Sequence, residues 1–151
     1  MFAKSNPFDW DRERLVVPSA VKAAPRLLVV DDDSLHRMVI CRAAATAGYL
    51  PAGAASYGEA AKLLRETAFD CVTLDLSLGH RARSERLHQL SMLGCTAPIV
   101  VISRCDAAAC KETVEIAEML NLDIRECIPK PVDLGTLRNF LERLKATRLA
   151  A

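Results

Sequence analysis

Four apolar runs of strand length, each stopping at a charged or hydroxylated side chain, constrain this chain more than any other feature. They are Leu27-Leu28-Val29-Val30 before Asp31-Asp32-Asp33, Cys71-Val72-Thr73-Leu74 before Asp75, Pro98-Ile99-Val100-Val101-Ile102 before Ser103, and the run reaching Ile128-Pro129 before Lys130-Pro131. In an open parallel sheet the carboxyl ends of the strands gather along one edge, and that edge is where ligands bind. Folded in that way, the chain brings the carboxylates of Asp31, Asp32 and Asp75, the Ser103 hydroxyl and the Lys130 ammonium into one pocket.

Between these runs the pattern turns helical. Strands are expected at 26–30, 49–54, 70–74, 98–102 and 124–128, the second of them weak. Ser34 can cap a helix running to about Ala47 with Leu35, Met38 and Val39 on one face, closed by Gly48. Further helices are expected at 56–67 with Ala60, Leu63 and Leu64 inward, and at 84–93, closed by Gly94. Another is expected at 106–121, capped by Asp106, with Ile116, Met119 and Leu120 inward. A last one is capped by Asp133 and carries Leu134, Leu137, Leu141 and Leu144 at spacings of three and four. Five βα units with apolar, β-branched strands imply an α/β fold: a five-stranded doubly wound parallel sheet. Residues 26–147 form that domain. Residues 1–25, which mix three prolines with Phe2, Phe8 and Trp10, read as an N-terminal extension, and 148–151 as a tail.

The 151 residues suit one domain, and the net charge of +1 gives no reason to expect nucleic acid or a membrane as partner. Neither a membrane-spanning run nor the apolar core of a secretory signal is visible, so cytoplasmic residence is expected. The six cysteines form no C-x-x-C pair and read as small buried hydrophobes in a reducing compartment. A redox role for Cys105 and Cys110 is the weaker alternative.

Adjacent carboxylates repel, and burying Asp31 beside Asp32 is costly unless a cation neutralises them. Oxygen-only ligands suit Mg²⁺, and Asp75 adds a further carboxylate. A carboxylate is also a competent nucleophile toward phosphorus, given a metal and further donors for the transferred charge. Acidic residues after strands are also ordinary loop residues and helix caps. That plain reading covers Asp33 well and Asp31 tolerably, but not a lysine wedged between Pro129 and Pro131.

Val29-Val30-Asp31-Asp32, the lone Asp75, Ser103 and Lys130-Pro131 together resemble the signature of receiver domains of two-component response regulators, over residues 26 to about 145. The resemblance implies a flavodoxin-like (βα)5 domain of CheY type that takes a phosphoryl group from a histidine kinase or phosphotransfer protein. Asp75 is then the phosphoacceptor, Asp32 the main Mg²⁺ ligand and Asp31 an assistant, direct or through water. Ser77 would offer its backbone carbonyl to the metal. Ser103 is the switch hydroxyl, and Lys130 pairs with the phosphoryl group. Leu76-Ser77-Leu78-Gly79, Gly94-Cys95 with Ala97-Pro98, and Lys130 to Leu134 are similar to receivers that precede EAL-type phosphodiesterases. The pattern departs from the family in three places. Ala82-Arg83 replaces the usual Asp-Gly pair, within a basic run from His80 to Arg86 that reads as a solvated face or as a patch for an acidic partner. Arg104 replaces a small residue, and Cys127 an aromatic that moves with the switch hydroxyl.

The expected function is a bacterial, cytoplasmic, single-domain response regulator rather than an enzyme. It would signal by contact with an unknown downstream protein, with a homodimer also open. The alternative is a receiver-like adaptor, independent of phosphorylation, acting through its N-terminal extension. A phosphohydrolase with an aspartyl nucleophile usually carries a second acid two residues on, where Ser77 stands. A flavin carrier would need a phosphate-cradling loop where Asp31-Asp32-Asp33 would repel phosphate.

Overall fold

A computed structural model describes residues 23–77, 83–104 and 106–150. The elements alternate strictly: β1 (Arg26–Val30), α1 (Ser34–Thr46), β2 (Leu50–Ala54), α2 (Tyr57–Glu66), β3 (Cys71–Leu74), α3 (Arg83–Met92), β4 (Ile99–Ser103), α4 (Ala107–Met119), β5 (Ile124–Pro129) and α5 (Leu134–Ala150). Five parallel strands form one sheet in the order β2-β1-β3-β4-β5, so β2 and β5 are its edges. Pairing is regular from Leu27↔Cys71 to Val30↔Leu74, but the β4–β5 register shifts between Ile99 and Val100.

Helices cover both faces of the sheet, so strand side chains are apolar in both directions rather than alternating. Leu28, Val30, Val72, Leu74, Ile99 and Val101 pack with Ala60 of α2, Leu87 and Leu90 of α3 and Ala117 of α4. Leu27, Val29, Cys71, Val100 and Ile102 pack with Ile40, Ala43 and Ala44 of α1 and Leu137 and Leu141 of α5. This is the doubly wound, flavodoxin-like arrangement expected.

Local chemistry sets the helix boundaries. The Ser56, Asp106 and Asp133 side chains accept from Glu59, Ala109 and Thr136 amides, satisfying N–H groups that the first turn leaves orphaned. Gly48 and Gly94 take positive φ after α1 and α3, as expected of residues closing a helix. The α1 cap is not Ser34 but Asp33, whose carboxylate accepts from the His36 amide at 3.0 Å.

Two expected helix faces are corrected. Leu35 and Met38 are exposed, and α1 instead buries Ile40, Ala43 and Ala44. In α4, Met119 is exposed, while Thr113 and Ala117 are buried and Ile116 and Leu120 half-buried. Alanine lets these helix backbones approach the sheet closely, and the long side chains flank the contact. Leu134, at the start of α5, is also exposed, whereas Leu137 and Leu141 are fully buried.

Tyr49 ties α5 to the start of β2: its buried hydroxyl donates to the Leu141 carbonyl at 2.8 Å. Tyr49→Phe removes that bond, and urea denaturation is expected to show a loss of about 1 kcal/mol. Cys71 and Cys95 are buried, and burial pushes the Cys71 thiol up to about 12, whereas Cys41, Cys110 and Cys127 are only half-buried, so the expectation of buried cysteines holds for two of the five described. Expectations for residues 1–22, for 78–82 in the basic run and for Cys105 lie outside the described residues. Among the described residues no helix is long and apolar enough to cross a membrane.

Candidate functional site: an acidic pocket at the carboxyl edge

The strand order reverses direction between β1 and β3, and a crevice opens at such a switch point. Asp31 and Asp75 follow the two strands that flank it. The ladder continues one residue past each strand: the Asp31 amide donates to the Ala54 carbonyl and the Asp75 amide to the Val30 carbonyl, both at 3.0 Å. The Lys130 amide donates likewise to the Ser103 carbonyl at 3.3 Å. Sheet hydrogen bonding therefore fixes the backbone under Asp31, Asp75, Ser103 and Lys130.

Asp31 and Asp75 are buried and Asp32 is exposed, and one carboxylate oxygen of each lies within 4.8 Å of the others. Lys130 Nζ stands 2.7 Å from Asp75 Oδ2 and 3.8 Å from Asp31 Oδ2. The Ser77 amide donates to Asp75 Oδ1 at 2.9 Å, and the Ser77 hydroxyl donates to the same oxygen. Burial by itself raises the Asp75 carboxyl, but the hydrogen bonds from Lys130 and Ser77 outweigh it and hold the group below its ordinary value. Among the described residues the buried Ser103 hydroxyl has no hydrogen-bond partner, as is also true of the Tyr57 and Thr73 hydroxyls. A buried donor without an acceptor is expensive, and Ser103 is placed at the same edge as Lys130, whose amide donates to its carbonyl.

All five residues singled out in the sequence as bearing chemistry thus meet at one edge, with Ser77 joining them through its amide and hydroxyl. Sequence reasoning missed His36 and Arg37. His36 Nδ1 contacts Asp31 Oδ2, and Arg37 Nη1 donates to the Asp31 carbonyl at 2.8 Å. The available signal was their place in the first turn of a helix that begins beside the acidic run. Arg86, grouped in sequence with a solvated basic run, is instead buried, its guanidinium 4.3 Å from the centroid of the Tyr57 ring. The donor set fits Mg²⁺, since it is all oxygen and carries more negative charge than Lys130 alone can offset.

A doubly wound sheet with clustered carboxylates and a lysine at its carboxyl edge defines a flavodoxin-like domain built around an acidic pocket. The chain belongs to the response regulator receiver domain family, whose model matches residues 27–142, and so to the signalling modules of two-component systems. Its fold is similar to that of the Francisella response regulator 1452 receiver domain, with a TM-score of 0.68 and 22% identity over 82% of this chain and 98% of the other. It is similar also to the chemotaxis protein CheY4 of Vibrio cholerae, with a TM-score of 0.68 and 22% identity over 81% and 99% of the two chains. A CheY-like receiver domain protein from Methanospirillum hungatei matches with a TM-score of 0.67 and 21% identity over 85% and 100%. No curated protein matches the chain.

Proposed function

We propose that this chain accepts a phosphoryl group on Asp75, with Mg²⁺ bound by Asp31, Asp32, Asp75 and the Ser77 carbonyl. The donor is a histidine kinase or phosphotransfer protein of the cytoplasm, and the signal passes on by protein–protein contact. One observation carries the reading: the Asp75 carboxylate is held between the Lys130 ammonium and the Ser77 donors, beside two further carboxylates.

An Asp75 oxygen attacks the phosphorus of the donor phosphohistidine. The new O–P bond forms as the P–N bond breaks, and its electron pair leaves on the imidazole. Mg²⁺ held by Asp31, Asp32 and Asp75 would supply the charge that neutralises the phosphoryl oxygens. Lys130 supplies a fixed positive charge at the same place, needing no reorganisation during transfer. Ser103 supplies a hydroxyl whose hydrogen bond is not otherwise spent among the described residues. Ser77, a hydroxyl where a phosphohydrolase would carry its general acid, favours a carboxylate that keeps its phosphoryl group over an enzyme that turns it over.

Incubation with Mg²⁺ and acetyl phosphate tests the reading. Intact-mass analysis is expected to show one added phosphoryl group, and no addition under any Mg²⁺ concentration overturns it. The metal assignment has its own check. Mg²⁺ at about a hundred times its Kd should stabilise the fold by about 2.7 kcal/mol by mass action. Asp32→Ala is expected to abolish the corresponding rise in Tm; an undiminished rise places the ion elsewhere.

A further inference from the structure

A cavity of about 480 Å³ adjoins the acidic pocket and is lined by Asp33, His36, Arg104, Lys130, Pro131 and Val132, among others. Most of its charged groups are already committed. Lys130 is paired with Asp75, His36 contacts Asp31, and the Asp33 carboxylate caps α1. Arg104 differs: among the described residues no carboxylate lies within ion-pair distance of its guanidinium. Its backbone is nonetheless held, since its carbonyl accepts from Arg83 Nη2 at 3.4 Å and it follows Ser103, whose carbonyl accepts from the Lys130 amide. An unspent guanidinium thus lines the cavity that Lys130 lines, one residue from a buried hydroxyl that also lacks a partner.

We infer that Arg104 is a second phosphoryl-binding cation, closing with Lys130 on the group carried by Asp75. This rests on the phosphoacceptor reading above. An aspartyl phosphate, which is an acyl phosphate, brings a charge near −2 and three terminal acceptor oxygens into the pocket. Lys130 is a point charge that also faces the Asp31 carboxylate at 3.8 Å, whereas a guanidinium offers a planar fork matched to two phosphoryl oxygens. Arg104 supplies that fork from the open side of the site, where a small side chain would leave the phosphoryl oxygens to Lys130 and the metal alone.

Beryllofluoride, which mimics a phosphoryl group on a carboxylate, provides the test on the full chain in the presence of Mg²⁺. By calorimetric titration, Arg104→Ala is expected to bind it roughly tenfold more weakly than the wild type, with Arg104→Lys between the two. Mg²⁺ affinity and the Tm of the unliganded chain should be unchanged, because among the described residues Arg104 makes no ion pair. Wild-type affinity in Arg104→Ala overturns the inference alone, as does an equal loss of Mg²⁺ affinity, which would mean the substitution acts through the fold. Failure of the wild-type chain to bind beryllofluoride at all overturns the phosphoacceptor reading, and the second cation with it.

Discussion

Asp75→Asn is expected to abolish phosphoryl incorporation while leaving the chain folded. The amide matches the carboxylate in shape, and its one oxygen can still accept from the Ser77 amide, while its NH2 takes the place of the oxygen that lies 2.7 Å from Lys130 Nζ. It lacks the nucleophilic oxygen pair that attacks phosphorus. Lys130 remains 3.8 Å from Asp31, so its charge is not left alone. Intact mass after exposure to Mg²⁺ and acetyl phosphate makes the comparison. An asparagine variant that gains a phosphoryl group as the wild type does would move the acceptor to another residue.

Lys130→Met should produce the largest loss of stability among single changes at the site. Removing the ammonium leaves buried Asp31 and Asp75 without their common counter-charge, and breaking a buried pair in this way costs about 3 kcal/mol or more. Two consequences separate this from simple loss of packing. Mg²⁺, a replacement cation for the same carboxylates, should restore much of the deficit in urea denaturation. The pH dependence should change as well. Asp75 lies below its ordinary value when folded, so it adds stability above the unfolded pKa of about 4 and loses it as pH falls through the lower folded value. Without Lys130 the largest hydrogen bond holding it down is gone, and that acid-side contribution shrinks. Equal stability of the variant at neutral pH, with or without Mg²⁺, would mean that the pair contributes nothing.

How far the fold could be read depended on what each segment packs against. The runs before Asp31, Asp75 and Ser103 are buried on both faces, so their composition alone announced them, and their ends were placed within a residue. The weak run at residues 49–54 is an edge strand with Pro51 and Gly53, yet its place between two clear helices was enough to identify it. The helix faces of α1 and α4 were less legible. Long apolar side chains drew attention to Leu35, Met38 and Met119, but the faces of α1 and α4 against the sheet are built largely from small residues, Ala43, Ala44 and Ala117, with Ile40. At the site, the acids and the lysine announced themselves by ending strands. His36 did not, because its contact with Asp31 depends on the angle at which α1 leaves the acidic run. Nor did Arg86, whose burial beneath the Tyr57 ring requires α2 and α3 to meet.

The two outer strands bear on a different property of the chain. An open sheet ends in rows of unpaired N–H and C=O groups that can recruit another chain and seed edge-to-edge aggregation. On one side β2 carries Pro51, which lacks an N–H, and Gly53, which weakens any added strand. On the other, β5 exposes Arg125 and Glu126 at the place where its register with β4 slips, and it ends on Pro129. Like charges would face one another if a second β5 stacked in parallel register, and the irregular backbone spoils a flat template. The interior strands can therefore be as uniformly apolar as β4 is without making the folded domain a nucleus for fibres.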